Sequence, residues 1–154
     1  MKKLFFAACL MAAGAAVQAA GSGIETIPSL EPEWTPARKA LADKDFKAAL
    51  PLLERLNLRV TDHPEVLTQL AFAQRKTGNV SSAMRNYRRA LQLEPNLKNA
   101  HEYIGEAYLM QNDPQRAKFH LAALERLCGT DCEEYRDLKE AFEAFEAKGP
   151  SGVR

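Results

Sequence analysis

Residues 64–97 read PEVLTQLAFAQRKTGNVSSAMRNYRRALQLEPNL, and the pattern of this stretch returns on both sides of it. A shift of 34 residues aligns positions of the same character, namely Leu70 with Ile104 and Leu138, Ala71 with Gly105, Ala83 with Ala117, and Leu56 with Ala90 and Leu124. Small residues at fixed places let helices approach closely, and large apolar residues fill the remaining space. The period therefore predicts stacked helical hairpins and an all-α fold.

Turn formers divide each repeat into two helices. Gly78-Asn79 separates the helices of the middle repeat, and Asp113 precedes Pro114, which suits the first position of a helix. No stretch between these signals alternates with the two-residue period of a strand. The pattern predicts helices over residues 36–43, 46–60, 64–77, 80–93, 98–111, 114–128 and 132–147.

Residues 64–97 resemble a tetratricopeptide repeat at that family's signature positions, which are Ala71, Gly78, Asn79, Ala83, Tyr87, Ala90 and Pro95. Residues 98–131 resemble it through Gly105, Tyr108, Asn112, Ala117, Leu121 and Leu124, and residues 30–63 are a degenerate copy with Phe46, Ala49, Leu53 and Leu56. The resemblance implies a TPR-like solenoid over residues 36–147, made of three hairpins and a capping helix at 132–147. Pro36 is expected to cut the first helix short.

Lys139 stands in the last helix where the earlier repeats have Ala71 and Gly105. A small residue is needed at that position only where a second helix folds down closely. The charge is therefore typical of a terminal cap with a polar outer face.

The first 19 residues have the layout of a secretory signal. Two lysines precede an uncharged run from Leu4 to Val17, and Val17-Gln18-Ala19 places suitable residues before a cleavage site. The run is shorter than the roughly 20 residues of a bilayer span, which argues against a retained anchor. We expect cleavage after Ala19, a periplasmic or secreted protein without stable membrane insertion, an extended leader over 20–35 and a flexible tail over 148–154.

Cys128 and Cys132 remain once Cys9 has left with the signal. An even pair in an oxidising compartment is usually a disulfide, and Gly129 places both residues at a bend. A thiol-redox or metal-handling role is the alternative, because the start of a helix stabilises the thiolate of Cys132. Three residues between the cysteines and no thioredoxin-like strand pattern favour the structural bond.

The sequence carries no signature of catalysis or of a cofactor. A nucleophile motif, a phosphate loop and a dinucleotide fingerprint are all missing from it. His63, His101 and His120 lack the spacing of a zinc site, and the net charge of +1 gives no field for nucleic acid. We predict a non-enzymatic protein with neither cofactor nor metal; the sequence does not indicate its oligomeric state.

Stacked hairpins leave a concave groove, lined by the first helix of each hairpin, that suits a segment of another protein. The phase of the repeat points three sets of side chains there: Thr68, Gln69, Phe72, Arg75 and Lys76; Glu102, Tyr103, Glu106, Leu109 and Met110; and Glu133, Arg136, Asp137 and Glu140. The resemblance suggests an adaptor or assembly chaperone of the cell envelope.

The groove departs from the family subclass that clamps a C-terminal carboxylate with Lys and Asn. Thr68 and Phe72 stand at those two places in this sequence. The apolar set Phe72, Tyr103, Leu109 and Met110, bordered by charges of both signs, instead predicts an amphipathic or mixed partner segment.

Overall fold

The computed structural model describes residues 31–149, and this part of the chain is entirely helical apart from its turns. Its helices are α1 (Glu31–Ala42), α2 (Phe46–Arg59), α3 (Pro64–Lys76), α4 (Val80–Leu93), α5 (Lys98–Met110), α6 (Pro114–Cys128) and α7 (Glu133–Lys148). The predicted all-α solenoid of three hairpins and a last helix is confirmed. The predicted signal over 1–19, most of the leader and the end of the tail lie outside the described residues.

Helix α1 begins at Glu31, five residues earlier than predicted, so residues 31–35 of the expected leader are helical. Pro36 does not cut the helix short, because it lies only one and a half turns from the start and removes a single hydrogen bond, to the carbonyl of Pro32. The extra turn carries Trp34, which is 4% exposed and packs into the core between the first and second hairpins.

The turn inside each hairpin repeats in its backbone as well as in its sequence. Lys44, Gly78 and Asn112 all have positive φ, at 60°, 90° and 59°. The residue that follows each of them, Asp45, Asn79 or Asp113, caps the second helix by accepting a backbone N–H bond. This shared turn sets the angle between the two helices of each pair.

The hairpins pack in chain order around two cores. Trp34, Leu53 and Leu56 belong to the core between the first and second hairpins, whereas Tyr87 and Leu138 belong to the core between the second hairpin and α7. Helix α7 contacts both α5 and α6, as the first helix of a fourth hairpin would. None of the helices between Glu31 and Lys148 is both long and apolar enough to span a bilayer.

Helix α7 rests on α5 at Gly105. A Cβ atom at this position would lie 2.6 Å from Cδ2 of Leu138, whose side chain is fully buried. Glycine therefore lets Leu138 lie directly against the backbone of α5. The next residue, Lys139, is exposed and forms an ion pair with Glu143, as the cap interpretation predicts.

Two buried histidines join the third hairpin to the turn before it. The Nε2–H of His101 donates to the carbonyl of Pro95 at 2.9 Å, so Nδ1 of the neutral ring accepts from Nδ1–H of His120, also at 2.9 Å. Burial lowers the pKa of His120 to about 4 and also lowers the pKa of His101. Both rings are neutral at neutral pH and act as structural side chains.

Cys128 and Cys132 are joined by a disulfide, with an S–S distance of 2.07 Å and Cα atoms 5.8 Å apart. Gly129, at φ 79°, makes the bend between them, and Cys132 occupies the N-cap position of α7 without a capping hydrogen bond from its side chain. The bond therefore ties the start of α7 to the end of α6.

The contact between Gly105 and Leu138 predicts that the effect of Gly105→Ala on stability depends on the residue at position 138. Gly105→Ala should destabilise the protein by about 1 kcal/mol, because overpacking outweighs the helix propensity gained. In the background of Leu138→Ala, which itself costs about 2–5 kcal/mol, the same change should stabilise the protein, since the new methyl group then fills space. Urea unfolding of the four proteins measures this coupling. Equal effects of Gly105→Ala in both backgrounds would contradict the contact.

Candidate functional site

The first helices of the hairpins, α1, α3 and α5, share one surface with α7, which we call the groove. An open cleft of about 670 Å³ runs along it, lined by side chains from all four helices, among them Trp34, Gln69, Asn99 and Glu134. The surface is concave at this end because the hairpins are stacked at an angle to one another.

The structure places the predicted groove residues at very different depths. Thr68, Arg75, Glu102 and Leu109 are buried; Gln69, Phe72, Tyr103 and Glu106 are half-buried; Lys76, Met110, Glu133, Arg136, Asp137 and Glu140 are exposed. The expectation for Thr68 is wrong. Its side chain is 0% exposed and its hydroxyl donates to the carbonyl of Pro64, so it cannot contact a partner.

Three aromatic rings form a row across the groove, which we call the aromatic row: Phe46, Phe72 and Tyr103. The centroid of Phe72 lies 5.5 Å from that of Phe46 and 4.6 Å from that of Tyr103. Tyr103 also contacts the buried ring of Tyr87 at 6.4 Å. The row is therefore held in place by the core before any partner arrives. The sequence interpretation missed Phe46, because it belongs to the second helix of its hairpin.

Basic side chains cover one part of the aromatic row. The charged groups of Arg75 and Lys76 lie 5.5 Å and 5.3 Å from the centroid of Phe72, within the range of a cation–π contact. Arg75 also forms a buried ion pair with Glu106 and donates to the sulfur of Met110 at 3.7 Å. Arg75 thus links α3 to α5 and is largely engaged within the protein.

Three carboxylates are near enough to act electrostatically on Glu102, and we call the four together the acidic site: Glu102 and Glu106 on α5, and Glu134 and Asp137 on α7. Glu106 is paired with Arg75, and Glu134 is paired with Lys98 at 3.2 Å. Glu102 is 8% exposed and has no ion pair with any described residue. Its burial, and after that the charges of Glu106, Asp137 and Glu134, raise its pKa to about 8. A cation placed beside this group would favour its ionised form and lower its pKa.

Glu65 and Asn99 extend the polar part of the groove, and they lie in the first turns of α3 and α5. Asn99 donates to both carboxylate oxygens of Glu65 at 2.9 and 3.1 Å, and Gln69 donates to the same carboxylate at 2.7 Å. The sequence interpretation did not select Glu65 or Asn99. Their spacing of one repeat was a signal that could have identified them.

Cys128, Cys132 and Glu134 are the only described His, Cys, Asp or Glu side chains that bring three potential metal ligands within 4.8 Å of one another. Both sulfurs are already bonded to each other. The oxidised pair therefore offers no thiolate to a metal ion.

Residues 64–112 match a family model described as TPR repeat. No curated protein sequence matches the chain. The fold is similar to the TPR2B domain of yeast Sti1 in a complex named for pHsp70, with 14% identity and a TM-score of 0.69 over 79% of this chain and 98% of that one. It is also similar to the Yersinia enterocolitica chaperone SycD bound to a peptide of the translocator YopD, with 14% identity and a TM-score of 0.65 over 79% and 95% of the two chains. A third similar structure is the Sgt2 TPR domain of Aspergillus fumigatus, with 20% identity and a TM-score of 0.67 over 79% of each chain.

The raised pKa of Glu102 predicts a pH dependence of stability. The folded protein keeps this proton up to about pH 8, whereas the unfolded chain releases it near the ordinary value of 4.5. The folded state binds more protons in between, so stability falls as the pH rises from 4.5 to 8. Glu102→Gln should remove this loss and gain about 1–3 kcal/mol over the wild type between pH 5 and pH 8.

Denaturant titrations at both pH values measure the difference. Contributions from His120 fall at the acidic end of this range and cancel, because wild type and variant share them. Glu125→Gln, an exposed change on α6, serves as the control and should follow the wild type. Parallel curves for wild type and Glu102→Gln would contradict the burial of an uncompensated carboxyl group.

Proposed function

Because the chain is a tetratricopeptide-repeat protein, we propose that it is a non-catalytic adaptor or assembly chaperone that holds a segment of another protein in its groove. The observation that carries this proposal is the aromatic row beside the acidic site. Half-buried rings fixed by the core are suitable anchors, since they lose little freedom on binding. Sti1 and SycD, whose folds are similar, have been solved as complexes named for pHsp70 and for a YopD peptide.

The partner segment is expected to differ from one that is held by its C-terminal carboxylate. Phe72 stands where the clamp subclass has Asn, Thr68 is buried, and the α5 and α7 side of the groove is acidic. Repulsion between a terminal carboxylate and these groups opposes such binding. An internal segment with apolar side chains suits the groove better.

We further propose that the protein works in the cell envelope. This proposal is supported by the signal-like residues 1–19 and by the disulfide, a bond that persists in oxidising compartments. The position of the disulfide favours a structural role over thiol-redox chemistry. It holds the first turn of α7, which carries Glu134, against the end of α6.

Loss of an anchor in the aromatic row should weaken partner binding. Phe72→Ala should lower affinity about thirtyfold, which corresponds to the roughly 2 kcal/mol of a truncated aromatic anchor. Phe119→Ala is the matched control, since this ring is 62% exposed on α6, outside the groove. A photo-crosslinking residue in place of the exposed Met110 reports capture of envelope proteins with and without each change. Crosslinking that survives Phe72→Ala but is lost with Phe119→Ala would place binding on the other face.

Export and oxidation can be tested on one sample. Protein recovered from the envelope fraction should begin at Ala20, and its intact mass should lack the two thiol hydrogens of Cys128 and Cys132. Replacing both cysteines by Ser should cost about 2 kcal/mol at most, since the loop is very short. Protein that keeps Met1 and stays in the membrane fraction would refute export, and free thiols in exported protein would favour the redox alternative.

A further inference from the structure

Glu102 is a buried carboxyl group without an ion pair in the described part of the protein. The residue is 8% exposed, and its side chain has neither a hydrogen bond nor an ion pair with any described residue. The groups that face it are Glu106 on its own helix, Glu134 and Asp137 on α7, and Arg75 on α3. Three of these four repel a charged Glu102.

Two cationic side chains near the acidic site already form ion pairs with members of it. Arg75 is held by Glu106 and Met110, and Lys98 is held by Glu134. A buried carboxylate without a partner costs several kcal/mol, so such a group stays protonated unless a cation compensates it. Arg75, the one cation among the groups that face Glu102, is already paired with Glu106. A full counter-charge for the ionised form of Glu102 is therefore expected from outside.

We propose that the acidic site receives a lysine or arginine side chain of the partner segment, while apolar neighbours of that residue lie on Tyr103 and Met110. The proposal rests on the function inferred above, that a protein segment occupies the groove. It adds the chemical class of that segment, which is basic and apolar in alternation. Tyr103 is half-buried beside Glu102, and Met110 is 59% exposed on the same helix.

The spacing of the carboxylates fits an organic cation better than a metal ion. In the described chain, no three ligand atoms of Glu102, Glu106, Glu134 and Asp137 come within 4.8 Å of one another. A divalent cation needs several oxygens at about 2.0–2.6 Å, whereas an ammonium or guanidinium group donates several hydrogen bonds to carboxylates spread more widely. The aromatic row next to the site also suits the aliphatic stem of a lysine or arginine.

Binding of a cation should be coupled to loss of a proton. In the free groove Glu102 is largely protonated at neutral pH, because its pKa is raised to about 8. A lysine or arginine beside it favours the ionised form, so the complex releases a proton and affinity rises with pH up to about 8. A segment without a basic residue has no such coupling.

The test uses the mature chain with its disulfide intact and a random peptide library. Peptides selected on the wild type, and lost with Phe72→Ala, should carry a lysine or arginine next to apolar residues. One such peptide and its norleucine version, which replaces the selected basic residue, are then measured by fluorescence anisotropy. Glu102→Gln should weaken the basic peptide about tenfold or more at pH 8.5 and leave the norleucine peptide unchanged, as expected for a charge-assisted hydrogen bond.

The pH profile and the control variant complete the test. From pH 6.5 to 8.5 the affinity for the basic peptide should rise about tenfold with the wild type and stay level with Glu102→Gln. Glu125→Gln on α6 should behave as the wild type.

Each contrary outcome has a separate meaning. Peptides that need Phe72 but carry no basic residue would overturn the cation site and leave groove binding intact. Peptides that are indifferent to Phe72→Ala would overturn groove binding, and this inference with it. Stabilisation of the wild type but not of Glu102→Gln by calcium or magnesium alone would show that the site takes a metal ion, and would also overturn the proposal.

Discussion

Leu138 lies against the bare backbone of α5 at Gly105, and the position of α7 follows from that contact. Because no side chain separates the two helices there, α7 comes close enough for Glu134 and Asp137 to act on Glu102. The disulfide between Cys128 and Cys132 fixes the start of the same helix. One close approach and one covalent bond thus determine the geometry of the acidic site. A larger residue at 105 would change the electrostatics of the groove without altering a single charge.

The aromatic row and the acidic site depend on burial in opposite ways. Half-burial makes Phe72 and Tyr103 better binding anchors, because contacts with Phe46 and Tyr87 fix their rings in place. Glu102 loses from burial, because it gives up hydration and meets like charges. A surface that combines fixed apolar anchors with a buried carboxyl group lacking an ion pair favours selectivity. A partner must supply both apolar side chains and a positive charge.

The repeat period predicted the hairpins, the small residues at helix crossings and the capping character of α7, because these follow from which face of a helix each position occupies. The period did not predict how deeply each side chain is buried. Thr68 and Glu102 both face the groove by phase, yet they are 0% and 8% exposed. Burial of this kind depends on the packing of residues far away in sequence. Pro36 was expected to cut the first helix short, although so near the start of α1 it interrupts little, and the turn that carries Trp34 was therefore not predicted. Phe46 joins the aromatic row from a second helix, which no rule about first helices could indicate.

The disulfide makes the C-terminal end of the solenoid harder to unfold locally than the N-terminal end. Stacked repeats open from their termini, and each hairpin opens with the loss of only its neighbour's contacts. The disulfide holds α7 to α6 at the C-terminal end, whereas α1 and α2 are held by packing through Trp34, Leu53 and Leu56. Among the described helices, opening is therefore expected to start at the N-terminal hairpin. It would withdraw Phe46 from Phe72 while the acidic site stays assembled. The apolar half of the groove can loosen independently of the charged half, so a partner could dissociate stepwise, releasing its apolar contacts before its charged one.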